Sequence, residues 1–297
     1  MNTADTKKAA LELLHDAVDT HAHSAPSHFP RLVDDLDLAE SVVGAAMRGA
    51  VVKFHGGCTA TRAYLANKHV GREALFGSIT LNGFVGGVNP LAVEAEALLG
   101  AKIIWFPTIH AANHIIYYGG AEWRHMKAER SPPFPKRGVA VTDAEGRLLP
   151  EVLDVLDVAA KYDICVATGH LSISESVALC GEAARRGVRK IVLTHADFET
   201  QRVPLDLQAA LSKEGVLIEK TVLTVVLGHI SVKEMARSIV EIGPEHCVLA
   251  TDFGQANNPP IPQGFSEFLY YLLDNGLTPK ALEMMIRHNP KKMLGLE

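Results

Sequence analysis

Short apolar runs alternate with amphipathic segments along almost the whole chain. The runs are continuously apolar rather than alternating between apolar and polar residues, which is typical of parallel strands that are covered on both faces. Eight of them predict β-strands, at residues 17–21, 50–54, 76–81, 103–107, 164–168, 190–194, 216–219 and 247–251.

Most of the segments between these strands carry apolar residues three and four positions apart, which is the spacing of a helix with one buried face. They predict helices at residues 36–48, 59–69, 92–99, 151–161, 172–186, 205–213, 232–242 and 266–275. A further short N-terminal helix is expected within the polar stretch 1–16.

Eight strand–helix repeats in 297 residues indicate an α/β fold, a single (β/α)8 TIM barrel that occupies residues 1–297 as one domain. The alternative is a doubly wound open sheet, but no GxGxxG sequence follows the first strand to support it. Residues 108–149 interrupt the repeat, because they show no clear helical pattern. A long loop inserted after the fourth strand would cover the carboxyl-terminal mouth of the barrel as a lid.

Composition and charge exclude several classes of protein. The chain is 47% hydrophobic and 21% charged, as expected for a globular protein, and its net charge of −5 argues against a nucleic-acid partner. No segment reaches the roughly 18 consecutive apolar residues of a membrane span, and the N-terminus has no apolar signal core. The four cysteines are scattered without a CxxC pair. We therefore expect a cytoplasmic protein with neither a disulfide framework nor a thiolate metal site.

Histidine is over-represented, with 14 residues in the chain. His21 and His23 end the first strand, and because residues two apart on a strand point the same way, both can bind one metal ion. The fifth, sixth and eighth strands lead into His170, His195 and Asp252. The ends of barrel strands are where catalytic residues lie. Four imidazoles and one carboxylate suit a divalent ion, with zinc expected and manganese or iron as alternatives.

This set of residues resembles the metal centre of the amidohydrolase superfamily of metal-dependent hydrolases, in the order in which that family carries them. The resemblance covers nearly the whole chain. It implies that His21 and His23 bind a first metal ion together with Asp252. It also implies that His170 and His195 bind a second ion or, as in one-metal relatives, act as a ligand and as a histidine that polarises the substrate.

The chain departs from the family pattern at one place. Two-metal members usually bridge their ions with a carboxylated lysine or a glutamate at the end of the fourth strand, where this chain has neither. The nearest candidate is Lys53 on the second strand, which could be carboxylated and bridging, could bind a substrate carboxylate or could hold a neighbouring acid. We therefore expect one or two ions per chain. Residues 288–296 also look like the family's C-terminal NPA-like helix.

Polar residues near the mouth of the predicted barrel indicate a small substrate. Lys53 and His55 could receive an anionic group, and the amides that follow the third strand could hydrogen-bond a polar one. The long loop adds two histidines that could act from a lid. The expected substrate contacts are His55, Asn82, Asn89, His110 and His114.

These residue types predict a metal-dependent hydrolase. Asp252 can take the proton of a water that the ion has acidified, with His195 and Lys53 as the other catalytic residues. The expected reaction is cleavage of an amide, lactone or ester bond in a small polar or carboxylated molecule. Glu219 ends the seventh strand as a further mouth-facing carboxylate, but we do not expect it to be a ligand.

Two other functions stay open. One is a decarboxylase- or hydratase-type lyase of the same superfamily, and the other is a metal-binding protein without catalysis. The acidity of the chain disfavours a metal-dependent deoxyribonuclease. The exposed surfaces of the outer helices are compatible with a homo-oligomer.

Overall fold

The computed structural model describes residues 3–119 and 138–296, in which parallel strands and helices alternate. The strands are β1 (Val18–Ala22), β2 (Gly49–Val52), β3 (Leu75–Phe76), β4 (Ser78–Thr80), β5 (Ile103–Trp105), β6 (Cys165–Ala167), β7 (Ile191–Leu193), β8 (Val216–Thr221) and β9 (Cys247–Ala250). The helices are α1 (Thr3–Leu13), α2 (Asp35–Gly44), α3 (Ala60–Val70), α4 (Pro90–Leu98), α5 (Ala112–Tyr117), α6 (Pro150–Tyr162), α7 (Ile173–Arg185), α8 (Leu205–Lys213), α9 (Val222–Val226), α10 (Val232–Ile242), α11 (Ile261–Asp274), α12 (Pro279–Glu283) and α13 (Asn289–Leu294).

The strands form two parallel sheets, β1-β2-β3 and β4 to β9 in chain order. Gly77 separates β3 from β4, where the sequence predicts one continuous strand over 76–81. A Cβ atom at Gly77 would lie 2.3 Å from the Cα of Ala60, so the first residue of α3 packs directly on this glycine. That close approach interrupts the strand, which gives one short segment to each sheet.

Hydrogen bonds also join the first strand to the segment that follows the last one. The Asp252 N–H donates to the His21 carbonyl, and the His23 N–H donates to the Phe253 carbonyl, both at 2.8 Å. The buried side chain of Asp19 lies next to these bonds and accepts from the Thr251 N–H at 3.0 Å and from its hydroxyl at 2.5 Å. The ends of β1 and β9 that carry the predicted ligands are therefore tied together.

Buried apolar side chains form two clusters. The larger one includes residues from the strands and from the helices that cover them. The smaller one combines side chains from seven strands of both sheets with Met293 and Leu294 of α13. Because both sheets contribute to this one cluster, their inner faces meet in a common core. None of the helices in residues 3–119 and 138–296 combines the length and the apolarity that a membrane span requires.

Several helices differ from the sequence expectation. The capping box of Ser172 and Glu175 is present at the start of α7, as their spacing predicts. By contrast, α11 begins at Ile261, five residues before the predicted start at 266. Pro259 and Pro260, which precede this helix, are typical of a loop. Pro262, however, lies in the first turn of α11, where a missing N–H costs no helical hydrogen bond.

The predicted insertion at 108–149 contains α5, which its sequence pattern does not predict. Asn113 of this helix donates from Nδ2 to the carbonyls of His170, at 3.2 Å, and Thr200, at 3.0 Å. The helix therefore lies against the segments that follow β6 and β7. Residues 120–137, which form the middle of the insertion, lie outside the described residues.

Candidate metal centre

Three donor atoms converge at the carboxyl ends of β1 and β9. Asp252 Oδ1 lies 3.1 Å from His21 Nε2 and 3.0 Å from His23 Nε2. The three side chains are buried, and their ligand atoms all lie within 4.8 Å of one another. Across residues 3–119 and 138–296, this is the one group of three or more His, Cys, Asp or Glu side chains with such an arrangement.

Both imidazoles use their other ring nitrogen to contact the protein. His23 Nδ1 donates to the carbonyl of Lys53 at 2.8 Å, and His21 Nδ1 lies 3.2 Å from each carboxylate oxygen of Glu219. Histidines that bind metals almost always donate their second N–H to a carbonyl or carboxylate, which fixes the tautomer and the ring orientation. Each Nε2 atom therefore faces Asp252 and is the ring nitrogen that a metal ion would bind.

The pKa shifts of these side chains indicate whether the three donors can bind a cation. Burial, reinforced by the charge of Arg31, lowers the pKa of His23 well below its usual value, so this imidazole is neutral. Burial would lower the pKa of His21, but the nearby Asp252 and Glu219 outweigh burial and raise that pKa above its ordinary value. Burial would raise the pKa of Asp252, but the neighbouring His21 and His23 outweigh it and hold this carboxyl ionised. Without a metal ion, a proton on an imidazole nitrogen satisfies such a short contact with Asp252 Oδ1, and a divalent ion would replace that proton. Two imidazole nitrogens and a carboxylate oxygen therefore fit a divalent ion such as zinc.

Lys53 follows β2 and lies directly beside this group. Its Nζ is 3.0 Å from His21 Nε2 and 4.5 Å from the centroid of the Trp105 ring. Burial lowers the pKa of the Lys53 ammonium to about 8. The structure thus brings the lysine to the predicted centre and places its amine within reach of the donor atoms.

His195 and Glu219 form the wall of the centre on the side of β7 and β8. The backbone N–H of His195 donates to Glu219 Oε2 at 2.9 Å, while the same carboxylate contacts His21. Burial lowers the pKa of His195 to about 4, so its imidazole is neutral. Its Nδ1 is buried without a hydrogen-bond partner in the described part of the chain. Glu219 thus contacts His21 at Nδ1, the ring nitrogen that does not face Asp252, and is not one of the three donors.

Two of these strand ends adopt backbone conformations that non-glycine residues rarely occupy. His195 has φ of 25° and Asp252 has φ of 56°, both in the left-handed region. Such backbone strain costs about 1–3 kcal/mol per residue and is concentrated at functional sites. The same local geometry aims both side chains at the centre.

His170 is paired with a residue of the insertion. Its Nδ1 lies 2.8 Å from His114 Nδ1, so the Nδ1–H of one ring donates a hydrogen bond to the Nδ1 of the other. Burial lowers the pKa of His114 to about 3 and that of His170 well below its usual value. The ring of His170 is 4.9 Å from that of His195. These histidines therefore border the three-donor group but are not part of it.

His55, which follows β2, and His110, which follows β5, are two further predicted substrate contacts. The His55 ring is 5.0 Å from the His23 ring, and its Nδ1 lies 3.1 Å from Thr108 Oγ1. His110 Nδ1 accepts from the Gly83 N–H at 3.0 Å, and both histidines are buried. His55 thus lies where a ligand of the centre would contact it, whereas His110 also holds the loop after β4.

The two predicted asparagine contacts have structural functions instead. Asn82 donates to the His55 carbonyl and Thr108 Oγ1 and accepts from the N–H groups of Thr108 and His110, which uses the full capacity of one amide. Asn89 caps α4 by accepting from the Ala92 N–H, and it donates to the Val85 carbonyl. Asn82 therefore has no donor or acceptor left for a substrate, whereas the bonds that Asn89 makes use one donor and one acceptor of its amide.

Comparison with known structures shows that this fold is similar to the folds of several proteins assigned as hydrolases. Similar structures include an amidohydrolase from Pseudomonas aeruginosa, with a TM-score of 0.63, 12% identity and coverage of 97% of this chain and 98% of that one. PvdM from Pseudomonas aeruginosa, assigned as a dipeptidase, has a TM-score of 0.65, 13% identity and 98% coverage of both chains. A Pseudomonas putida protein assigned as a 2-pyrone-4,6-dicarboxylic acid hydrolase has a TM-score of 0.61, 14% identity and coverage of 95% and 98%.

Within this fold, the chain belongs to the family of unknown function DUF6282, whose model matches residues 16–219. The matched range contains His21, His23 and Lys53, whereas Asp252 lies beyond it. No curated protein matches the chain.

Proposed function

We propose that this chain is a metal-dependent hydrolase that cleaves an amide, lactone or ester bond in a small polar or carboxylated molecule. The observation that carries the proposal is the convergence of His21 Nε2, His23 Nε2 and Asp252 Oδ1 in a buried centre at the strand ends. The structures with a similar fold support it, because their names describe an amidohydrolase, a dipeptidase and a dicarboxylic acid hydrolase. We further propose that the strands close into one (β/α)8 domain.

Each residue of the centre has a separate role in the proposed hydrolysis. A divalent ion, for which zinc is our first candidate, would acidify a water and polarise a carbonyl oxygen when held by these donors. Asp252 is ionised, so it can accept the proton of that water and deliver it to the leaving nitrogen or oxygen. The neutral His195, whose Nδ1 has no hydrogen-bond partner among residues 3–119 and 138–296, can hydrogen-bond the carbonyl oxygen of the substrate. Lys53 adjoins the same space through its contact with His21 Nε2.

The test is a hydrolysis screen of lactones, cyclic amides and small carboxylated esters with protein of known zinc or manganese content. We expect Asp252→Asn to lower turnover at least about 10²–10⁴-fold on any substrate found, since it removes both the proton acceptor and one of the three metal donors. The matched control is Asp157→Asn, because Asp157 lies at an exposed ion pair with Arg186. If metal-loaded protein cleaves none of these bond types, the proposal is wrong.

One observation favours a lyase of the same superfamily as the second candidate. The described residues offer a single three-donor group, and the Lys53 amine lies beside it in a position to bind a carboxylate. A decarboxylase or hydratase would convert small carboxylates without consuming water at an amide or ester bond. Product analysis in the same screen separates the two functions.

A further inference from the structure

The turn after β9 carries Asp252 in a strained backbone conformation. Its φ of 56° lies in the left-handed region, which non-glycine residues occupy only where the surrounding structure holds them. The Asp252 N–H donates to the His21 carbonyl at 2.8 Å, and this bond fixes the peptide group that precedes Asp252. The peptide group that follows Asp252 has to be fixed as well, because φ and ψ of the residue relate these two groups to each other.

The side chain of Gln255 fixes that second peptide group. Its Nε2 donates to the Asp252 carbonyl at 2.8 Å, and its Oε1 accepts from Asn258 Nδ2 at 2.7 Å. The bond with Asn258 sets the orientation of the amide, since a reversed Gln255 would place its NH2 group against the NH2 group of Asn258. Because Gln255 is buried, water has little access to its bond with Asp252.

The backbone between Asp252 and Gln255 is held by other segments of the chain. The Phe253 carbonyl accepts from the His23 N–H at 2.8 Å, and the Gly254 carbonyl accepts from the Leu32 N–H at 3.0 Å. Gly254 has φ of 129°, and a Cβ atom there would lie 1.9 Å from the His23 carbonyl oxygen, so the turn approaches His23 too closely for any side chain at this position. The side chain of Gln255 therefore extends from a fixed backbone.

We propose that Gln255 is a positioning residue that keeps the Asp252 carboxylate in its metal-binding position. This inference rests on the proposed function, because it concerns the same metal centre. Asp252 Oδ1 lies 3.1 Å from His21 Nε2 and 3.0 Å from His23 Nε2, so a change in the backbone angles of Asp252 moves the oxygen relative to both nitrogens. Without the bond from Gln255, the backbone of Asp252 is free to relax from the left-handed region, and an ion has to restore the strained conformation when it binds.

Zinc affinity, measured by competition with a chelator, tests the proposal. We expect Gln255→Met, which keeps the length of the side chain but has no N–H, to weaken zinc binding about 10- to 100-fold. Asn258→Ala removes the group that orients the Gln255 amide, so its loss of affinity is expected to be smaller. The two changes act on one chain of hydrogen bonds, so the double variant should bind zinc no more weakly than Gln255→Met alone. Gln263→Met is the control, because Gln263 is exposed and pairs with Glu267 on the same helix.

The spectrum of cobalt-loaded protein separates positioning from a purely structural function. The visible absorption of Co²⁺ responds to the geometry of its donor atoms. We expect Gln255→Met to shift these bands, because Asp252 Oδ1 moves relative to the two imidazole nitrogens. A change that only lowers the free energy of unfolding leaves the spectrum of the folded protein unaltered. Urea unfolding of the same variants measures how much stability each one has lost.

The outcomes separate this inference from the function on which it rests. A wild-type zinc Kd or an unaltered cobalt spectrum in folded Gln255→Met, or losses that add in the double variant, would overturn the assignment of Gln255 and leave the metal centre in place. If Gln255→Met does not fold, Asn258→Ala decides, and a wild-type zinc Kd and cobalt spectrum in that variant would overturn the assignment. A wild type that binds neither zinc nor cobalt would overturn the proposed function, and the assignment of Gln255 with it.

Discussion

Glu219 illustrates how a single side chain can organise the centre without serving as one of its three donors. Its carboxylate contacts His21 Nδ1 through both oxygens and accepts the backbone N–H of His195. Burial would raise its pKa, but His21 and the other positive neighbours outweigh burial, and the net effect lowers it. An ionised carboxylate in a buried position is stable only where such partners surround it. We infer that Glu219 fixes His21 in the tautomer that presents Nε2 to a metal ion.

Replacing Glu219 tests this function at the scale of one residue. We expect Glu219→Gln to weaken zinc affinity about 10- to 100-fold, because the amide lacks the negative charge and has one accepting oxygen in place of the two that contact His21 Nδ1. A competition titration against a zinc chelator measures the change. Glu145→Gln serves as the control, since Glu145 is an exposed residue paired with Arg147. An unchanged zinc affinity in Glu219→Gln would show that the carboxylate does not orient His21.

The residues of the centre differ in how far the sequence reveals them. His21, His23 and Asp252 can be predicted because each lies at the carboxyl end of an apolar strand, and the strand ends of a parallel sheet meet at one edge. Glu219 also ends a predicted strand, but its contacts with His21 and His195 depend on the tertiary structure, so the sequence does not reveal them. Asn82 shows the converse error, since its position near the mouth suggested a ligand contact while its partners were set by the fold.

At the scale of secondary-structure elements, the contact between β1 and the end of β9 aligns the donors. Asp19 on β1 accepts from the N–H and the hydroxyl of Thr251, which directly precedes Asp252. It also accepts the N–H of His21 at 3.1 Å. One buried carboxylate thus sets the register between the two segments that carry the three donors.

Removing the Thr251 hydroxyl tests this connection. We expect Thr251→Val to lower the free energy of unfolding by about 1–3 kcal/mol, since the isosteric change leaves a buried charged group without one hydrogen bond. Urea unfolding measures the difference. Thr80→Val is the matched control, because Thr80 is also buried in a strand but its Oγ1 has no partner within the described residues. Equal losses in the two variants would contradict the function assigned to the Thr251 hydroxyl.

The elements themselves were predictable where the hydrophobic pattern is long. The predicted helices at 205–213 and 232–242 coincide with α8 and α10, because each carries more than two turns of helical periodicity. The six residues of α5 are too few to establish a period, so its sequence reads as a loop. The interruption at Gly77 depends on the approach of α3, a contact between segments that local pattern cannot reveal.

At the scale of the whole molecule, the fold brings together groups that lie about 230 positions apart in the chain, as in the contact between His23 and Asp252. The parallel arrangement directs the carboxyl ends of β1, β2, β8 and β9 to the same edge of the strands. It thereby brings the three donors together with Lys53 and Glu219. The family model ends before Asp252, so the third donor is supplied by a part of the chain beyond the matched range. The central claim is therefore that the complete fold, rather than a local motif, creates a metal centre.

The most direct test of this claim is the metal content of purified protein after reconstitution with zinc and removal of free ion. We expect about one zinc ion per chain in the wild type, bound by the three-donor group. We expect loss of that ion in the His21→Ala/His23→Ala double variant and in Asp252→Asn, with far-UV circular dichroism confirming that at least one of these variants is folded. A wild type that holds neither zinc nor manganese after reconstitution, or a folded variant that holds as much metal as the wild type, would contradict the account.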